Sequence, residues 1–140
     1  MSIIKAVTEF VRECPFLDQF VPLFVDHTED DPTNYGISST GENVLYSYMD
    51  GSEVRQHNFV MYAREFARPD SQRVINTEFI ENFSNWLYRM GVENKLPYLG
   101  EDMDPISMSS SNGMLFDIDD NGERALYQIQ FELTYQKGGM

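Results

Sequence analysis

The chain has a single cysteine, Cys14, among its 140 residues. No intrachain disulfide framework can form, and a small secreted fold held together by cross-links is disfavoured. Basic residues are scarce as well: ten Lys and Arg stand against 23 Asp and Glu, for a formal net charge of −13. The ten are scattered singly, so the sequence lacks the basic patch with which nucleic-acid binders release counterions from phosphate. An acidic surface that DNA passes without sticking remains compatible with this balance. No apolar run approaches the ~20 residues that span a bilayer. Met1-Ser2-Ile3-Ile4-Lys5 has neither the basic region nor the long apolar stretch of a signal peptide. Synthesis and folding in the cytoplasm, with no membrane partner, are therefore expected. Glycine-rich phosphate loops of the Gly-x-x-x-x-Gly-Lys or Gly-x-Gly-x-x-Gly type do not occur.

What is present suits one ordered domain over residues 1–140. Hydrophobic residues make up 41% and aromatics 14%, with ten Phe and eight Tyr. That is ample for a core at this length, and tyrosine is also favoured at protein interfaces. Ile3, Val7, Phe10, Val11 and Cys14 recur at helical spacing, with Ser2 as cap and Pro15 as stop. A short apolar stretch, Phe20 to His27, leads to an acidic turn at Glu29-Asp30-Asp31-Pro32, and Tyr35 to Ser38 offers a short strand. Val44 to Met49 runs into Asp50-Gly51, read as a two-residue hairpin turn, and the chain resumes from Val54 to Phe66. That second arm is apolar on both faces: Phe59, Met61 and Ala63 on one, Val60, Tyr62 and Phe66 on the other.

A second helix is expected from Ser71 to Met90, with Asp70 or Ser71 as N-cap and Gly91 as C-cap. Its stripe is Ile75, Phe79, Ile80, Phe83, Trp86, Leu87 and Met90. Strands follow at Ile106 to Ser109 and Met114 to Ile118, separated by a flexible loop at Ser109-Ser110-Ser111-Asn112-Gly113. After a turn at Asp119-Asp120-Asn121-Gly122, Ala125, Tyr127, Ile129, Phe131, Leu133 and Tyr135 alternate with Gln128, Gln130, Glu132, Thr134 and Gln136. This is the pattern of a strand with one buried and one wet face. The order helix, hairpin, helix, hairpin implies an α+β domain, an antiparallel sheet built from hairpins and packed against two helices.

Catalytic chemistry finds little support. Asp117-Ile118-Asp119-Asp120-Asn121-Gly122 matches the opening of an EF-hand loop, but its twelfth position is Gln128 and its flanks are strand-like, so a hairpin turn is the reading. Cys14 lies on the apolar stripe of its helix and reads as a structural thiol. His27 and His57 have no ligand partner at metal-binding spacing. The carboxylate pairs fall in polar turns, where solvation is the default. Neither enzyme activity nor a metal or cofactor is expected.

An N-terminal helix, a hairpin, a long helix ending in Trp86-Leu87 and a final strand Ala125-x-Tyr127-x-Ile129-x-Phe131-x-Leu133-x-Tyr135 together resemble the minor capsid or tail terminator (tail completion) proteins of long-tailed bacteriophages. The resemblance covers nearly the full length and rests on element order, without a short signature motif. It implies a fold like that of tail-tube proteins and assembly as a ring, usually a hexamer, located in the virion at the head–tail junction. Such a ring caps the tail tube, stops its growth and meets the head connector protein, while DNA passes through without specific binding. It implies no catalytic residues.

A closed ring needs heterologous contacts. The candidates are Tyr46, Tyr48, Phe59, Val60, Met61 and Tyr62, with packing under the domain's own helices as the alternative for the hairpin residues. Glu29, Asp30 and Asp31, with Asp117, Asp119 and Asp120, are candidates for an acidic lumen or rim. Two other functions fit the composition: an acidic binding module that mimics DNA or meets a basic partner, and a small-ligand protein with a pocket between sheet and helices.

Overall fold

A computed structural model describes residues 2–15, 23–25, 34–66, 70–118 and 124–138, with side-chain environments for 2–15, 23, 35–63, 78–110 and 125–138. The elements run α1 (Ile3–Arg12), β1 (Leu23–Val25), β2 (Asn34–Ser47), β3 (Glu53–Phe66), α2 (Asp70–Val92), β4 (Met103–Ile118) and β5 (Arg124–Lys137). The strands form one sheet in the order β1-β2-β3-β5-β4. Four strands are antiparallel to their neighbours; β1 is parallel to β2 and covers only Tyr35–Ile37. The α+β class read from the sequence is the class observed.

The alternation in β5 does what its period requires. Ala125, Tyr127, Ile129, Phe131, Leu133 and Tyr135 are all buried, and their intervening neighbours face the other side. Register carries that face across the sheet, through Phe59↔Phe131, Met61↔Ile129 and Ala63↔Tyr127 into Ile37↔Met61 and Tyr35↔Ala63. The helices close over it. Phe83 of α2 meets Phe131 edge-on at 5.9 Å, and Trp86 stacks on Phe10 of α1 at 4.8 Å. Val7, Val11, Cys14, Phe83 and Leu87 are fully enclosed. Each such side chain contributes roughly 1.5–3 kcal/mol of transfer free energy. Ser2 caps α1, its hydroxyl accepting from Lys5 N at 3.2 Å.

Four local expectations are corrected. Tyr35–Ser38 and Val44–Ser47 belong to one long strand, β2, kept continuous by register shifts at Ser39/Gly41 and Val44/Tyr46, and Tyr48 and Met49 lie beyond its end. Gly41 sits in the first shift at φ 134°, a conformation L side chains rarely adopt. Ser109–Gly113, expected as a loop, is part of β4, whose backbone pairs with β5 from Met103 to Ile118. The hairpin turn has three residues, Met49–Gly51. Gly51 N donates to Tyr48 O at 3.0 Å and Tyr48 N to Ser52 O at 2.8 Å, with Gly51 at φ 91° in the left-handed position.

The Asp50 carboxylate fixes this loop by accepting from Ser52 N at 2.9 Å and Ser52 Oγ at 2.6 Å. Finally, α2 runs to Val92, and the left-handed residue that closes it is Asn94 and not Gly91. Lys95 N donates to Met90 O at 2.8 Å and Asn94 N to Gly91 O at 3.2 Å, a Schellman closure with Asn94 at φ 56°. Gly91 lies inside the last turn, where a Cβ would come within 3.8 Å of the Ser107 and Met108 backbone.

Candidate assembly surface

The sheet is longer than the helices that cover it. In its covered half, the row Ile37↔Met61↔Ile129↔Gly113 crosses the core. In its distal half, the row Val44↔Arg55↔Tyr135↔Pro105 lies on the same face beyond the end of α2. There the face turns polar. Glu42 Oε1 accepts from the Tyr135 hydroxyl, across two strands, and meets His57 Nδ1 at 3.2 Å. Arg55 donates to Glu42 Oε2 at 3.4 Å and, through Nη2, to Glu53 Oε1 at 2.5 Å. Ser39 Oγ bonds the remaining ring nitrogen of His57, and the ring leans on Phe59 at 4.8 Å.

Desolvation pushes the Glu42 carboxyl up. The hydrogen bonds from Tyr135 and His57 and the charges of His57 and Arg55 outweigh it, holding the group below the ordinary carboxyl range. Burial, then the bond to Glu42, pushes the Tyr135 phenol up to about 12.

The order Ser39, His57, Glu42 imitates a nucleophile relay. Here the side chains bind one another: Tyr135 donates to Glu42, and Arg55 bridges Glu42 and Glu53, with its shorter bonds to Glu53. The cluster is a cross-strand brace that ties β2, β3 and β5 together. The sequence concealed it, because Glu42 and His57 lie 15 residues apart. Among the described residues, no group of three His, Cys, Asp or Glu could hold a metal ion, and no helix is long and apolar enough to cross a membrane.

The candidate interface residues separate. Phe59 and Met61 are buried in the domain's own core, so the intramolecular alternative describes them. Val60 is buried on the opposite face, in a shallow hollow of about 290 Å³ that also involves Tyr62, Asn58, Gln128 and Gln130. Tyr46 and Tyr48 are exposed beside Val44, Leu45 and Met49, the last wholly in solvent. A second exposed apolar group, Tyr88, Val92, Tyr98 and Ile106, which sequence reasoning missed, lies at the end of α2 and the start of β4. Tyr88 and Val92 give no warning because they fall off the helix's apolar stripe.

Of the acidic candidates, Asp117 sits on β4 opposite Leu126. Glu29, Asp30, Asp31, Asp119 and Asp120 lie outside the described residues. The sheet face away from the helices presents Gln56, Asn58, Gln128, Gln130, Glu132, Thr134 and Gln136, a surface of amides and hydroxyls. Ser109 Oγ bonds Glu132 across it at 2.9 Å, and Gln56 Nε2 bonds Asn58 Oδ1 at 3.0 Å. No Lys or Arg side chain is among these described residues.

No protein-family model matches the chain, and no curated protein does. Among solved structures, the fold is similar to that of a chain in the virion of a native gene transfer agent (GTA) particle. The TM-score is 0.59 at 13% sequence identity, covering 96% of this chain and 95% of that one. At this identity, what the two chains share is the fold, over nearly the full length of each.

Proposed function

We propose that the chain is a structural subunit of a phage-like virion, forming a ring with copies of itself at the end of the tail tube, where it stops tube growth and meets the head connector. The observation that carries this reading is the fold likeness to a virion chain over 96% of this chain and 95% of that one, without large insertions on either side. In the ring, the amide-rich sheet face lines the passage. Its described side chains offer DNA hydrogen-bonding groups, with no Lys or Arg among them to arrest a polyanion. The acidic residues Glu29, Asp30, Asp31, Asp117, Asp119 and Asp120 are candidates for its lumen or rim, and the net charge of −13 acts in the same direction. The chain contributes shape and contact, and no reaction is assigned to it.

The test is deletion of the gene from the virus or transfer element that encodes it, followed by electron microscopy of lysates. Filled heads beside free, over-long or ragged tails are expected, with joining restored by the gene supplied in trans. Normal particles from the deletion strain would contradict the proposal and favour the acidic binding module, which should stay monomeric and bind a basic protein.

A further inference from the structure

We draw no further inference here: the strongest candidate, the exposed apolar patch where β2 runs into its hairpin turn (Val44, Leu45, Tyr46, Tyr48 and Met49), is an unpartnered face, and nothing in the structure shows what covers it.

Discussion

The two halves of the sheet use the same backbone for different ends. In the covered half, each row is apolar and buried, from Tyr35 and Ile37 through Phe59 and Met61 to Phe131 and Ile129. In the distal half, the same face carries Ser39, Glu42, Arg55 and His57, and its edge exposes Val44, Leu45 and Tyr46. One half spends its hydrophobic groups on folding, and the edge of the other leaves several of them exposed. The lesson is that position in the sheet, and not side-chain type alone, decides whether an aromatic on these strands is enclosed, as Phe59 and Tyr135 are, or exposed, as Tyr46 is.

That contrast can be broken most forcefully in the covered half. Phe83→Ala or Phe131→Ala removes a ring from the stacked core and should cost about 3–5 kcal/mol in denaturant-induced unfolding. A loss below about 1 kcal/mol would contradict the packing described.

The brace should matter less. Glu42→Gln removes the charge that joins Tyr135, His57 and Arg55 and should cost about 1–2 kcal/mol, given how much of the carboxylate is exposed. Its pH dependence follows from the shifts. The folded pKa of Glu42 is depressed, so its contribution is complete above the unfolded carboxyl value and disappears as pH falls below about 4.5. The folded pKa of Tyr135 is raised, so its contribution is complete below 10 and is lost as pH climbs towards about 12. A stability profile recorded for the parent and for Glu42→Gln should converge at the acid end. A separation that does not narrow as pH falls below 4.5 would contradict the brace.

Smaller still is the helix end. Asn94→Gly should be neutral or gain a few tenths of a kcal/mol, and Asn94→Ala should lose about 1 kcal/mol, because only the former accepts φ 56° without cost. Smallest of all, Tyr46→Ala or Met49→Ala should change the unfolding free energy by no more than about 0.5 kcal/mol.

How much of this could be read in advance followed the same division. The α+β class, both helices and the face of β5 were legible, because burial on one side writes a period of 3.6 or 2 into the sequence. The middle stretches of β2 and β4 were not. Thr40-Gly41-Glu42-Asn43 and Ser109-Ser110-Ser111-Asn112 have no apolar periodicity, so a continuous strand looked like a break or a loop. Their backbone ladders hold them straight, and backbone bonding leaves no side-chain signature. His57 looked like an ordinary polar strand residue because its partner, Glu42, arrives from across the hairpin. Tyr46 and Tyr48, read as candidate interface residues, are exposed; Phe59 and Met61 were indistinguishable from them until α2 was placed over the sheet.

The most direct test of the account pairs folding with assembly in one variant. Tyr46→Asp/Met49→Asp, placed on the exposed distal edge, should give a purified chain whose unfolding midpoint matches the parent's, and particles whose heads and tails fail to join. A variant that folds normally and supports full particle assembly would contradict the reading of the exposed distal edge as an assembly surface.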